Sequence, residues 1–176
     1  MPKRTEIRIA GLGGQGVVLA GHILGKAAAY DGLQVVQTQS YGAEARGSAA
    51  KSEVIISDQK IGFPMVRKSD VLVAMSQTAL DKHLKDLKED GILLIDGDMI
   101  KQPPSVKARV FNVLATKTAE TQLGNKMQAN MVMLGALAKA TKIVTQESVE
   151  KALRESIGSQ AADKGIAAFR TGLNLI

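Results

Sequence analysis

The chain has 176 residues, 45% of them hydrophobic, which suits one domain with a real core and is short for two. It contains no cysteine, so disulfides, thiolate zinc sites and iron–sulfur ligation within this chain are excluded. The net charge is +6, but two Tyr, three Phe and no Trp are too few to stack on single-stranded nucleic acid. We expect no nucleic-acid partner, no membrane span and a cytoplasmic location, because no apolar run or signal-peptide core is present.

A short strand, a glycine loop and a helix begin the chain. Residues 5–10 become fully apolar as a strand entering a core does, and residues 15–30 have helical spacing. Between them, Gly11, Gly13 and Gly16 have the G-x-G-x-x-G spacing that lets backbone approach a phosphate at a helix N-terminus. The alternative is a tight turn that holds no ligand.

Two common nucleotide sites are disfavoured. The second predicted strand, 33–39, ends without the acidic residue that bonds the ribose of NAD. The loop also lacks the G-K-S/T of a P-loop.

The remaining elements alternate between strand and helix. We predict strands at 51–57, 71–75, 92–96 and 106–113. We predict helices at 78–88, 126–141, 148–157 and 163–173, and a short helical segment before 122. Gly91 is expected to end the first of these helices and Thr145 to cap the third. The charge pattern of the lysine-rich helix at 78–88 indicates a face exposed to solvent, and we expect His83 to lie on that face. His22, in the first helix, is expected to pack.

The loop between the second and third strands is rich in small residues and carries Arg46. At the carboxyl end of a strand, Arg46 can offer a fork of donors to phosphate or carboxylate. The alternative is a surface pair with Glu44, which would contribute little.

Asn130 falls on the apolar face of the long helix, with Met127, Met131, Leu134 and Ala138. A buried amide needs partners. It either caps a neighbouring loop or reaches a ligand at the glycine loop.

Three segments together resemble the gamma subunit of 2-oxoacid:ferredoxin oxidoreductases. They are I-A-G-L-G-G-Q-G-V-V-L-A at 9–20, S-Y-G-A-E-A-R-G-S at 40–48 and N-M-V-M-L-G-A-L at 130–137. The resemblance covers essentially the whole chain. It implies a single gamma-type domain over 1–176, with three α/β/α layers, a largely parallel or mixed sheet and a Rossmann-like first turn, similar to domain III of pyruvate:ferredoxin oxidoreductase.

The resemblance also implies a function. Such enzymes decarboxylate a 2-oxoacid on thiamine diphosphate, reduce ferredoxin through iron–sulfur clusters and form acyl-coenzyme A. Thiamine diphosphate and the clusters are then expected in partner alpha, beta and ferredoxin-like delta subunits. This chain would be a non-catalytic subunit that binds coenzyme A and helps close the active site.

The resemblance assigns the coenzyme A contacts to seven residues. Backbone N–H groups of the glycine loop would hold one phosphate, Arg46 another, and Asn130 would form a neutral wall. The full set is Gly13, Gly14, Gln15, Gly16, Val17, Arg46 and Asn130.

The substrate is expected to be 2-oxoglutarate, with a branched-chain 2-oxoacid or pyruvate as alternatives. Two readings of other classes stay open: a stand-alone Rossmann-type nucleotide-binding protein and a purely structural docking subunit.

Overall fold

The computed structural model describes residues 4–42 and 48–176, which contain six β-strands and six α-helices. The strands are β1 (Arg4–Leu12), β2 (Gln34–Tyr41), β3 (Ala49–Ser57), β4 (Ser69–Ala74), β5 (Leu87–Asp96) and β6 (Arg109–Val113). The helices are α1 (Val17–Tyr30), α2 (Gln77–His83), α3 (Ala115–Leu123), α4 (Ala129–Thr141), α5 (Gln146–Ser156) and α6 (Ser159–Leu173).

All six strands form one mixed sheet in the order β2-β3-β1-β4-β5-β6. β1, β4, β5 and β6 pair in parallel with one another, whereas β3 runs antiparallel to both β1 and β2. The β1–β3 ladder runs without a break from Arg4 opposite Ser57 to Leu12 opposite Ala49. This confirms the α/β fold with a mixed sheet, and it brings both ends of the 42–48 connection to the edge where β1 ends.

The two faces of the sheet are covered unequally. Alternate residues of a strand point to opposite faces, and Ile7 and Ile9 join a large apolar cluster with α1, α3, α4, α5 and α6. On the other face, Leu72, Leu93 and Leu80 of α2 belong to a much smaller cluster. Most of the core therefore lies on the α1 side.

The outer helix α6 packs against α4 with the two backbones in contact. A Cβ on Gly135 would overlap the carbonyl oxygen of Phe169, and one on Gly172 would overlap that of Val132. Only glycine permits this approach, so no side chain separates the two helices here.

A buried ion pair occupies the thinly covered face beside β1. The Arg8 side chain is 4% exposed, and its Nε lies 2.7 Å from Oε1 of Glu53, which is opposite it on β3. Arg8 also donates to Asp86 and to the carbonyl of Val66, each at 3.2 Å. Such a pair tolerates burial because both charges keep partners.

The lysine-rich segment is not the helix that its charge pattern predicts. α2 ends at His83 and a 3-10 turn covers 84–86, whereas residues 87–91 already belong to β5. Gly91 therefore lies inside a strand, where a Cβ would press on the carbonyl oxygens of Asp70 and Lys88 at 2.9 Å. The prediction of a helix ending at Gly91 is wrong, because pairing with β4 prevails over local charge periodicity.

Other boundaries shift by a few residues. α1 begins at Val17 rather than at 15, β6 at Arg109 rather than at 106, and α6 at Ser159 rather than at 163. Residues 126–128 form a 3-10 turn before α4, and Met127 is 59% exposed rather than on the buried face. The predicted cap of α5 is confirmed, since the Thr145 hydroxyl accepts a hydrogen bond from the Ser148 amide.

The exposure of both histidines is the opposite of the prediction. His22 is exposed on α1, and His83 is buried with 8% of its surface exposed. The helical pattern around His83 does not reveal that the polar face of β1 and β3 covers it. Within residues 4–42 and 48–176, no helix is long and apolar enough to cross a membrane.

Candidate functional site

The glycine loop joins β1 to α1 at the carboxyl edge of the sheet, next to β4. Gly14 and Gly16 have φ angles of 91° and 71°, in the left-handed region that favours glycine. Gly16 is the N-cap of α1 and provides no side chain to cap it. The first turn of α1 therefore presents N–H groups without a side-chain partner, at the positive end of the helix dipole.

Five amide groups in and after the loop divide into two sets. The Gly13 amide donates to the carbonyl of Ser48 at 2.7 Å, and the Gln15 amide donates to the carbonyl of Leu12 at 3.1 Å. Among the described residues no acceptor meets the N–H groups of the other three, Gly14, Gly16 and Val17. The predicted donor set thus separates into residues that shape the loop and residues with free donors.

The Gln15 side chain holds the loop against the sheet. Its Oε1 accepts from the Leu12 amide at 2.6 Å, and its Nε2 donates to the Met75 carbonyl at 2.8 Å. Both ends of this amide are engaged within the protein. Gln15 is therefore suited to positioning the loop.

Asn130 anchors the same loop from the start of α4. It is 5% exposed, its Nδ2 donates to the Gly16 carbonyl at 3.1 Å, and its Oδ1 accepts from the Met131 amide at 2.9 Å. A Cβ on Gly16 would overlap the Asn130 amide. The sequence is compatible with two roles for Asn130, a contact with a neighbouring loop or with a ligand, and the structure contains the contact with the loop.

Arg46 lies outside the described residues. The chain on either side of it is described, and it runs close to the glycine loop: Ser48 accepts from Gly13, and the Gly42 amide donates to the Ala49 carbonyl at 2.7 Å. Six of the seven predicted site residues therefore lie in described structure, clustered where β1 ends.

A cavity of about 240 Å³ opens beside the glycine loop. Its lining combines Gly14 and Gln15 with residues from the ends of other elements, namely Met75, Met99, Thr116, Lys126, Met127 and Ala129. Met99 and Met127 are exposed large apolar residues, and flexible methionines adapt to varied ligand shapes. Crevices outside the carboxyl ends of parallel strands are the usual ligand sites of α/β sheets.

Four lining residues are not among the site residues predicted from the sequence: Met99, Thr116, Lys126 and Met127. Lys126 and Met127 lie in the 3-10 turn that the sequence predicts as the start of a longer helix, and Thr116 is the second residue of α3. The available signal was their position after strands β5 and β6 and before α4, where loops meet at the same sheet edge.

Asp96, at the end of β5, supports this cavity from behind. It is fully buried, and its carboxylate accepts from the Thr116 hydroxyl at 2.6 Å and from the Thr116 and Asp98 amides at 3.3 Å. Burial raises the pKa of Asp96, and these hydrogen bonds partly oppose the rise. Asp96 thereby fixes Thr116, which lines the cavity, to the sheet.

A larger surface concavity, about 620 Å³, lies elsewhere, along the exposed face of α5. It is lined by one helix only and is widely open, so the smaller cavity at the sheet edge is the better candidate. Within the part of the chain that the structure describes, no group of three or more His, Asp or Glu residues is placed to hold a metal ion.

The family described as pyruvate ferredoxin/flavodoxin oxidoreductase matches residues 6–175, nearly the whole chain. The chain belongs to this family. A 2-oxoglutarate synthase subunit, KorC of Methanothermobacter thermautotrophicus, is 50% identical over 98% of this chain and 95% of its own length.

Solved structures show the same fold. The gamma subunit of a keto/oxoacid ferredoxin oxidoreductase from Geobacter sulfurreducens is 43% identical, with a TM-score of 0.84, over 96% of this chain and 95% of its own. This chain is accordingly a gamma-type subunit of a 2-oxoacid:ferredoxin oxidoreductase. A 2-oxoglutarate:ferredoxin oxidoreductase from Magnetococcus marinus, solved with 2-oxoglutarate, coenzyme A and succinyl-CoA bound, is 24% identical with a TM-score of 0.90. The match covers 99% of this chain and 31% of the Magnetococcus chain, and the two share the fold over that part.

Proposed function

We propose that this subunit binds coenzyme A at the glycine loop and helps close the active site of an enzyme that oxidises 2-oxoglutarate to succinyl-CoA. Thiamine diphosphate, the iron–sulfur clusters and the catalytic groups would belong to partner alpha, beta and ferredoxin-like delta subunits. The absence of cysteine from this sequence agrees with clusters carried elsewhere.

The observation that supports the proposal most is the set of free donors beside the cavity. The N–H groups of Gly14, Gly16 and Val17 have no acceptor among the described residues, and Gly14 lines the cavity. A diphosphate fits such a helix N-terminus because backbone N–H groups and the helix dipole both favour negative charge. Lys126, also in the lining, would add a positive charge.

The other predicted residues receive separate roles in this proposal. Gly13, Gln15 and Asn130 would keep the loop in its binding shape, since their polar groups already bond within the protein. Arg46 would provide the second phosphate contact. Coenzyme A itself would supply the thiol that accepts the acyl group.

The kinetic test uses the assembled complex with Lys126→Gln and, separately, Arg46→Ala. Each variant should raise the apparent KM for coenzyme A about tenfold, the effect of losing one charge-assisted contact, and leave the KM for 2-oxoglutarate unchanged. Lys164→Gln, the same charge change on the exposed surface of α6, is the matched control and should behave as wild type. An unchanged KM for coenzyme A in both variants would favour a purely structural docking role.

Purification of the complex from its native source, without oxygen, tests the partners and the substrate. The chain should co-purify with a thiamine-binding subunit and a cysteine-rich subunit, and dye reduction should require coenzyme A. Comparing 2-oxoglutarate, pyruvate and a branched-chain 2-oxoacid in that assay identifies the substrate. A chain that emerges alone and binds NAD or NADP would instead support a stand-alone nucleotide-binding protein.

A further inference from the structure

A second cavity, of about 260 Å³, lies between the ends of β2 and β3 and helix α2. Gly11 is part of its lining, whereas Gly14 and Gln15 line the first cavity, so the end of β1 separates the two. The second cavity is roomy enough for an oxyanion with water, since one water takes about 30 Å³ of liquid volume.

The lining of this second cavity is basic. Lys51 and Lys82 both contribute to it, and none of its described lining residues is acidic. Lys51 contacts Glu53 at 3.1 Å, but Glu53 is buried below and is shared with Arg8. Lys82 forms no ion pair with the described part of the chain. One positive charge at this cavity is therefore left without a counter-charge among the described residues.

His83 completes the lining. The residue is 8% exposed, and no hydrogen bond joins its imidazole ring to another described residue. Burial, together with the positive charges of Arg8, Lys51 and Lys82, lowers the pKa of His83 to about 4, against a smaller opposing effect of Asp86. At neutral pH the imidazole is uncharged and still has one N–H to donate.

We infer that this cavity binds a phosphate group through Lys51, Lys82 and His83. Two ammonium groups and a neutral N–H donor match the acceptor oxygens of a phosphate, and charge-assisted hydrogen bonds are the strong ones. This site is separate from the glycine loop, and the inference does not require that the loop bind coenzyme A. The phosphate is either free inorganic phosphate or the 3′-phosphate of a coenzyme A molecule.

The test is an NMR titration of the full chain with inorganic phosphate, following the imidazole signals. The sequence has only two histidines, so exposed His22 serves as an internal reference and His83→Gln assigns the other signal. Phosphate should shift the His83 signal saturably and raise its pKa, because the added negative charge offsets its cationic neighbours. His22 should move little.

Charge-matched variants decide whether the contact is specific. Lys82→Gln should weaken phosphate binding about tenfold, whereas Lys85→Gln, an exposed lysine three residues on, should bind as wild type. Equal effects of the two variants, or equal shifts at His22 and His83, would overturn the inference. Lys126→Gln, at the other cavity, should leave this titration unchanged, which keeps failure here distinct from failure of the proposed function.

A final comparison identifies the source of the phosphate. If coenzyme A shifts the His83 signal and dephospho-coenzyme A does not, the 3′-phosphate is the ligand. A response to inorganic phosphate alone assigns the site to the free anion.

Discussion

The two faces of the sheet around β1 stabilise the protein in different ways. On one face Ile7 and Ile9 belong to the large apolar cluster, which includes Phe169, whose side chain is fully buried. On the other, Arg8 of the same strand forms a buried pair with Glu53, close to His83. Because successive residues of a strand point to opposite faces, β1 contributes apolar side chains to the core on one face and a charged side chain to a buried ion pair on the other.

The largest effect is expected on the apolar face. Phe169→Ala should lower the free energy of unfolding by about 3–5 kcal/mol, because it removes a fully buried ring and leaves a cavity. Urea unfolding of the full chain measures it. Phe63→Ala, which truncates a ring that is 47% exposed, is the control and should cost far less. Equal losses would remove the contrast between core and surface.

A slightly smaller effect is expected on the polar face. Glu53→Gln should cost about 3 kcal/mol, because it leaves Arg8 buried without its main counter-charge. The double replacement Arg8→Met with Glu53→Leu should recover much of that loss, since neither charge then remains buried. Glu89→Gln serves as the control. It breaks the ion pair with Lys107, whose two side chains are 80% and 82% exposed, and should lower the free energy of unfolding by no more than about 1 kcal/mol. A Glu53→Gln variant as stable as wild type would show that the pair contributes little.

The third effect depends on pH. In the unfolded chain His83 takes up a proton near pH 6.5, but in the folded chain only near pH 4. Between these values the unfolded state binds more protons, so stability falls as pH drops, by about 2 kcal/mol at pH 5. His83→Gln should lose this part of the pH dependence, as measured by urea midpoints at pH 5 and 7. His22→Gln, at an exposed position, should keep the wild-type dependence.

Local signals predicted the parts of the fold that local sequence determines. The strand, the glycine loop and helix α1 follow from residues 5–30, because the turn needs glycine at positive φ and the flanking periodicities are strong. The cap at Thr145 is equally local. Tertiary pairing decided the rest. Residues 87–91 carry a helical charge pattern but belong to β5, which pairs with β4 at Leu87 and again from Ile92 onward, and nothing in that pattern shows it.

The backbone loop of the candidate site could be predicted from the sequence, but most of the side chains that line the cavity could not. The loop glycines and Asn130 were found from spacing, and the structure brings them into contact. Lys126 and Met127 were missed as lining residues because a 3-10 turn, in place of a helical one, changes which side chains are exposed. His83 was misplaced because its burial depends on Arg8 and on β3, which are distant in sequence.

The close approach at Gly135 and Gly172 should also limit how far the glycine loop can move. At their crossing backbone meets backbone, so no rotamer change can absorb a displacement of α6, and α4 must move with it. α4 begins beside Asn130, which bonds the carbonyl of Gly16. Helix α6 therefore supports the N–H donors of the glycine loop, which are far from it in sequence. A substitution that separates α6 from α4 should make the positions of these donors less well defined.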